Sequence, residues 1–143
     1  MKIKDVVGEK PTQGVVTITP EATVRDLLGL LSEHNIGAVV VSSDGRSVDG
    51  IVSERDVVRR LHGHDEVLGT AVSEIMTSDV HTAQPDHDLD STRRAMTDRR
   101  IGHVPVVEDG ALIGIISIGD VVKSHISQVE FERDQLDSYV HQS

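Results

Sequence analysis

The stretch Gly50-Ile51-Val52-Ser53-Glu54-Arg55-Asp56 occurs a second time, in related form, as Gly114-Ile115-Ile116-Ser117-Ile118-Gly119-Asp120. Each copy combines a glycine, two β-branched residues typical of strands and a serine of the kind that begins helices. An aspartate follows three residues after the serine, at the start of the predicted helix. Because a helix N-terminus is electropositive, this turn is a candidate site for the ribose phosphate of a nucleotide. The Ser-x-x-Asp spacing is also close to a capping box, which only starts a helix.

The two stretches belong to a longer internal repeat. Pro20 and Pro85 are 65 positions apart, and at that offset Ile36-Gly37 matches Ile101-Gly102. One extra residue in the first copy then reduces the offset to 64, which aligns the two seven-residue stretches. The chain is therefore expected to consist of two copies of one structural unit.

Each copy is predicted to be a β-α-β-β-α unit, because short apolar runs alternate with segments of helical periodicity. A short helix is predicted at 72–76, after a loop at 62–70, and residues 1–10 are interpreted as the counterpart of that helix ahead of the first copy. The predicted elements of the first copy are a strand at 15–18, a helix capped by Thr23, strands at 38–41 and 48–52, and a helix from Asp56.

The C-terminal segment from about Asp120 to Val140 is predicted to form one long helix. Its apolar residues recur in alternating steps of four and three, which is the heptad pattern of helix pairing. Two interpretations remain open: the helix packs on its own domain, or it pairs with the same helix of a second subunit. The residues of this apolar seam are Val122, Ile126, Val129, Leu136 and Val140, with Arg133 as a charged interruption.

Composition argues against several classes of function. The net charge of -10, with one Phe, one Tyr and no Trp, is unfavourable for binding nucleic acids, which requires cations and stacking surfaces. The absence of Cys excludes disulfides, thiol catalysis and Cys-based zinc sites. No signal peptide and no apolar run of membrane-spanning length is evident, so a cytoplasmic protein without a membrane partner is expected.

Catalytic motifs are also missing from the sequence. There is no Gly-x-x-x-x-Gly-Lys-Ser/Thr loop, no Gly-x-Ser-x-Gly elbow and no Cys nucleophile, so no enzymatic activity is expected. Histidines at 62, 64, 81 and 87 have some metal-ligand chemistry, but they lack the spacing of a metal motif. We interpret them as solvated loop residues and expect no metal, which leaves a metal-dependent enzyme as the least favoured hypothesis.

The repeat, the two Ser-x-x-Asp stretches and Met76-Thr77 after the linker resemble, in their order, a tandem pair of CBS domains, the module named after cystathionine β-synthase. The resemblance covers about residue 3 to residue 125. It implies an α+β fold in which two β-α-β-β-α repeats form a pseudo-two-fold pair with two clefts for adenosine-containing ligands. Stand-alone bacterial pairs of this type commonly form homodimers, and some bind AMP or NAD. The implied boundaries are 1–143 for a single pair, 8–65 and 72–128 for its repeats, and 120–141 for a C-terminal dimerisation helix.

The resemblance also implies which residues bind the ligand. Asp56 and Asp120 match the aspartate that accepts the ribose hydroxyls, and we call their clefts cleft 1 and cleft 2. The residues implied for cleft 1 are Ile51, Ser53, Arg55, Asp56, Thr77, Val80, His81, Ile101 and Ala38. The residues implied for cleft 2 are Pro11, Thr12, Val15, Val16, Ile36, His103, Ile115, Ser117 and Asp120.

The two clefts are not expected to be equivalent. Arg55 matches a family position that often reaches phosphate, whereas the second copy has Gly119 there. His103 stands where some members place a basic phosphate ligand, and the first copy has Ala38 there instead.

The leading hypothesis is therefore a regulatory, energy- or redox-sensing module that binds AMP or another adenosine nucleotide (ADP, ATP or NAD) and acts as a homodimer on an unidentified protein. The alternative is a protein-interaction scaffold whose clefts are vestigial and whose C-terminal helix is the working surface.

Overall fold

Each repeat contributes one small β-sheet to the computed structural model, which describes residues 1–9 and 15–141. In the first sheet the first strand runs parallel to the second and the third runs antiparallel to it; the second sheet is an antiparallel pair. The strands are β1 (Thr17–Ile18), β2 (Ala38–Val41) and β3 (Gly50–Ser53) in the first sheet, and β4 (His103–Glu108) and β5 (Ala111–Ser117) in the second.

Five α-helices accompany these sheets in the described part of the chain. Together with the sheets they confirm the predicted α+β class. The helices are α1 (Ile3–Glu9), α2 (Val24–His34), α3 (Glu54–Leu61), α4 (Leu89–Arg99) and α5 (Ile118–His141).

Several boundaries in the first repeat differ from the predicted ones. The third strand begins at Gly50 instead of position 48, because the Asp49 carboxylate accepts hydrogen bonds from the backbone N (2.8 Å) and Oγ (2.7 Å) of Ser43 and so belongs to the preceding turn. Helix α3 begins at Glu54 instead of Asp56, directly after its cap Ser53. Strand β1 begins at Thr17 instead of position 15. The two residues before it, Val15 and Val16, line a cavity and are not part of the strand.

The second repeat lacks a full counterpart of β1. Only Ala83 pairs there, in a parallel bridge with Val106 that is equivalent, by the repeat offset, to the pairing of Ile18 with Val41. His81 and Ala83 replace Val16 and Ile18 of the first repeat, and such residues favour a strand less than β-branched ones. The first strand of the β-α-β-β-α pattern is thus reduced to this single bridge in the second copy.

The linker between the repeats is more ordered than the predicted loop at 62–70. A short 3-10 helix covers Asp65–Gly69 and buries Val67 in the core of the first repeat. The predicted short helix at 72–76 is a 3-10 helix at Val72–Glu74.

Each of the two leading segments, helix α1 and residues 72–76, packs in the hydrophobic core of the other repeat. Helix α1 precedes the first repeat, but its Ile3 and Val6 are buried in the core of the second. Conversely, Val72 and Ile75 lie at the start of the second repeat and are buried in the core of the first. Each hydrophobic core therefore contains residues from both halves of the sequence.

Helix α5 packs on its own domain only at its start. Val121 and Ser124 are its buried residues, and every described residue from His125 to His141 is exposed. The interpretation that this helix packs on its own domain therefore holds only for about its first two turns.

Two glycines of the repeated stretch lie where another segment approaches closely. A Cβ on Gly50 would come within 2.6 Å of Met76 Sδ and 2.9 Å of the carbonyl oxygen of Thr77, which is backbone. A Cβ on Gly114 would come within 3.0 Å of Val7 Cγ1. The glycine in each copy thus allows the exchanged leading segment to pack against the strand.

Replacing Gly50 with Ala should destabilise the protein by about 1–3 kcal/mol, because the added methyl group overpacks against a fixed carbonyl. Urea unfolding followed by circular dichroism measures this difference. As a control, Gly29→Ala adds the same methyl group inside α2, where nothing lies within 4 Å, and should stabilise by about 0.5–1 kcal/mol. A Gly50→Ala variant as stable as the wild type would contradict the close approach.

Candidate functional site

A cavity of about 440 Å³ lies between the repeats at the start of α3. All nine residues predicted for cleft 1 line it, so this cavity is cleft 1. The structure thus brings these residues together, whereas their roles towards a ligand stay a prediction. Lining residues that sequence reasoning missed are Gly37, Glu54, Arg59, Asp79, Arg99, Arg100, Gly102 and His103.

A second cavity, of about 420 Å³, lies at the start of α5 and corresponds to cleft 2. Of its nine predicted residues, Pro11 and Thr12 lie outside the described residues, and the other seven all line the cavity. Both cavities have the size of typical small-molecule sites. Lining residues missed by the prediction are Val7, His34, Asn35, Gly37, Ala38, Ile113 and Gly114.

Asp56 of cleft 1 takes part in a capping box. Its Oδ2 accepts hydrogen bonds from the backbone N (2.8 Å) and Oγ (3.0 Å) of Ser53, and Ser53 Oγ in turn accepts from the backbone N of Asp56 at 3.3 Å. The structural interpretation of Ser-x-x-Asp is therefore correct for this copy. It does not use the whole carboxylate, because Oδ1 has no hydrogen bond to a described residue.

Asp120 of cleft 2 repeats this arrangement at the start of α5. Its Oδ2 accepts from the backbone N of Ser117 at 2.9 Å, and its own backbone N donates to Ser117 Oγ at 3.1 Å. Both aspartates are half-buried, and each lies beside a cavity at a helix N-terminus. The caps thus hold a carboxylate in the same place in each repeat.

A backbone bridge fixes one side of cleft 1. Ile51 and Thr77 exchange two hydrogen bonds of 2.9 Å each, so the linker runs as a short antiparallel pair beside β3. Backbone atoms near Thr77 are thereby held next to the apolar side chain of Ile51, which also lines the cavity. An apolar residue beside a fixed backbone segment is a suitable surface for a planar base.

The two clefts share a wall. Gly37, Ala38 and His103 line both cavities, whereas the resemblance assigned Ala38 to cleft 1 and His103 to cleft 2 alone. A Cβ on Gly37 would come within 3.6 Å of the His103 ring and of Glu54 Oε1, so these groups lie close together. His103 is consequently placed to contact a ligand on either side.

Charge distinguishes the linings of the clefts. Arg55, Arg59, Arg99 and Arg100 line cleft 1, whereas the described lining of cleft 2 includes neither Arg nor Lys. The repeat offset places His34 and Asn35 of cleft 2 at the positions of Arg99 and Arg100. These two pairs were missed because they lie at the end of the first helix of each repeat, outside the repeated stretch, where the sequence gives no sign that a cavity is near.

The pKa of His81 reflects the electrostatics of cleft 1. Burial lowers the pKa of this imidazole, and the positive charge of Arg99, followed by that of His87, lowers it further. His81 is therefore mainly neutral at pH 7, and the positive field of the Arg99 side of the cavity reaches it.

Residues 1–9 and 15–141 contain neither a metal-binding cluster nor a membrane-spanning helix. No group of three or more His, Cys, Asp or Glu side chains is arranged there to hold a metal ion. No helix in this part of the chain has the length and apolar character needed to cross a membrane.

Comparison with known proteins places this geometry in a family. The model of the CBS domain matches residues 3–63 and again residues 72–126. Over 128 residues the chain is 35% identical to the mitochondrial CBS domain-containing protein CBSX3 of Arabidopsis thaliana, covering 85% of this chain and 62% of that protein. The chain thus spans less than two thirds of the length of this relative.

Solved structures agree with this assignment. The CBS-domain containing protein ATU1752 from Agrobacterium tumefaciens is 41% identical, with a TM-score of 0.82 over 87% of this chain and 99% of that one. The CBS domain pair of protein MJ0100, solved with 5'-methylthioadenosine and S-adenosyl-L-methionine, shares the fold at 23% identity and a TM-score of 0.79, over 90% of this chain and 98% of that one.

Two matched repeats, the exchanged leading segments and the paired clefts lead to one conclusion: the chain belongs to the CBS domain family, as a tandem pair of repeats.

Proposed function

We propose that the protein is a regulatory module that binds adenine nucleotides in clefts 1 and 2 and acts as a homodimer on a partner protein in the cytoplasm. The observation that carries the proposal is the repeated combination of an inter-repeat cavity with a serine-capped aspartate at a helix start. A CBS pair of the same fold, that of protein MJ0100, has been solved with two adenosine compounds, which supports this ligand class.

The chemistry of cleft 1 suits a nucleoside. A carboxylate beside a cavity accepts hydrogen bonds from two vicinal hydroxyls, which is the pattern that ribose presents. Oδ1 of Asp56 is left for this role by the capping box. The adjoining Ile51 and the backbone near Thr77 offer an apolar face and hydrogen-bonding groups for adenine.

Regulation would follow from differential binding. A ligand held between the repeats contacts both of them, so it favours the relative arrangement of repeats that it binds more tightly. A partner protein that distinguishes these arrangements then responds to the ligand, and the coupling is reciprocal. No catalytic step is part of this proposal.

Asp56→Asn and Asp120→Asn should each weaken nucleotide binding at their own cleft about ten- to a hundredfold, since a charge-assisted hydrogen bond contributes about 1.5–3 kcal/mol. Isothermal titration calorimetry with AMP, ADP and ATP measures the loss. Asp26→Asn is the matched control, because Asp26 closes the same capping box on Thr23 of α2, outside the lining of both clefts. Unchanged binding in both cleft variants would contradict the ribose assignment.

The scaffold alternative predicts a different outcome for the wild type. A ligand that binds only the folded state raises its melting temperature by mass action. We expect at least one of AMP, ADP, ATP, NAD, NADH and S-adenosylmethionine to do so in a thermal-shift panel. An unchanged melting temperature with all six ligands would favour the scaffold alternative, in which the clefts are vestigial and α5 binds the partner protein.

The homodimer is proposed from the apolar seam on α5. Val129 and Leu136 are 51% and 65% exposed, and the seam extends along the part of the helix that does not pack on its own domain. A heptad seam of this kind buries its apolar residues when it meets a second helix, and a second copy of the chain supplies the same seam. This proposal also accounts for the length of α5 beyond the domain.

The double substitution Val129→Glu and Leu136→Glu should convert the dimer to monomers, because it places two like charges in each half of the interface. Analytical ultracentrifugation measures the mass. Ser127→Glu with Ser138→Glu adds the same charge on the opposite, exposed face of α5 and should leave the dimer intact. If the seam variant remains dimeric, the interface lies elsewhere, most simply on the helices of the repeats.

A further inference from the structure

We propose that cleft 1 selects adenosine ligands that carry two or more phosphates in a chain, such as ADP, ATP or NAD, over AMP and adenosine. The inference rests on the proposed function, because it assumes that an adenosine ligand occupies the cleft. It adds the class of ligand and the residues that select it.

Four arginines from both repeats converge on cleft 1. Arg55 and Arg59 lie one turn apart on α3, while Arg99 ends α4 and Arg100 caps it. All four are exposed, and none forms an ion pair with a carboxylate of the described residues. They are therefore available to an anion that enters the cavity.

The neighbouring arginines of α4 behave differently. Arg93 and Arg94 both pair with Asp90, at 2.6 and 3.1 Å. The arginines of this helix thus divide into a pair that shares an aspartate of its own helix and a pair that lines the cavity. This division is expected if the second pair serves a ligand.

The number of guanidinium groups in cleft 1 exceeds what a single phosphate requires. Carboxylates are present too, but the four arginines outnumber the three acids Glu54, Asp56 and Asp79. Asp56 is already held by Ser53 and is assigned to ribose. Guanidinium groups bind phosphate oxygens in pairs, so four of them match a chain of phosphates better than one. Without such an anion, the three carboxylates offset only part of the repulsion among the four arginines.

Three of the four equivalent positions in the other repeat show that these arginines are not a requirement of the fold. Gly119 replaces Arg55, His34 replaces Arg99 and Asn35 replaces Arg100. Asn35 and Arg100 share the same left-handed backbone, with φ of 52° and 55°. Because Asn adopts this conformation more readily than Arg, the arginine at position 100 is not explained by the turn.

The test titrates the wild type with adenosine, AMP, ADP, ATP and NAD by calorimetry. We expect ADP and ATP, and NAD if its second nucleoside fits, to bind about tenfold or more tightly than AMP, because each added phosphate gains further arginine contacts. Comparing the affinities for ATP and NAD shows whether the cleft accepts the phosphate chain of a mononucleotide or of a dinucleotide. Equal affinity for adenosine, AMP and ATP would overturn the proposal.

The variant Arg99→His with Arg100→Asn gives cleft 1 the residues of cleft 2 and should fold, because those residues already occupy the equivalent turn. It should bind ATP about tenfold or more weakly and adenosine within about twofold of the wild type. Arg93→His with Arg94→Asn is the matched control on the same helix and should leave ATP binding unchanged. Unchanged ATP binding in the first variant would overturn the proposal.

The two aspartate variants test whether the phosphate chain binds in cleft 1 or in cleft 2. ATP binding should weaken in Asp56→Asn and persist in Asp120→Asn, and the opposite result would overturn the proposal. Failure of all five ligands to bind the wild type would overturn the proposed function as well. Binding of AMP or adenosine without preference for phosphate chains would leave the proposed function standing and remove only this inference.

Discussion

Two backbone hydrogen bonds between Ile51 and Thr77 hold the linker of the chain against the last strand of the first repeat. This contact requires a bare backbone at Gly50, because a side chain there would collide with the carbonyl oxygen of Thr77. The bridge carries Val72 and Ile75 into the core of the first repeat and sets Thr77 and the residues after it beside cleft 1. Packing of the core and the shape of the cavity thus depend on the same close approach.

In the proposed function, each capping aspartate serves folding and binding together. A capping box needs only one oxygen of the carboxylate, and in Asp56 this is Oδ2. The cap also fixes the rotamer of the side chain, so a ribose would meet a carboxylate that has already lost its conformational freedom. Asp26 on α2 has the same cap but lies outside the lining of both clefts, so it provides a cap without the proposed binding role.

The repeat made much of the fold and of the site predictable. The offset of 65 residues defined the units, and the residues implied by the family resemblance converge in two cavities as far as the structure describes them. The reduction of the strand at Ala83 to one bridge was not predicted, because it depends on weak local preferences. Arg99 and Arg100 were not predicted, because the sequence does not show that the end of α4 lies close to the other repeat. The exchange of cores by Ile3 and Val72 is a tertiary arrangement that hydrophobic periodicity does not encode.

The exchange of leading segments decides where this chain can be divided. The boundaries of the repeats in the sequence are not boundaries of folding units, because α1 completes the core of the second repeat. A fragment that began in the linker would lack Ile3 and Val6, which are buried in the core of the second repeat. The two repeats therefore complete each other, and neither half of the sequence retains a complete hydrophobic core when it is separated from the other.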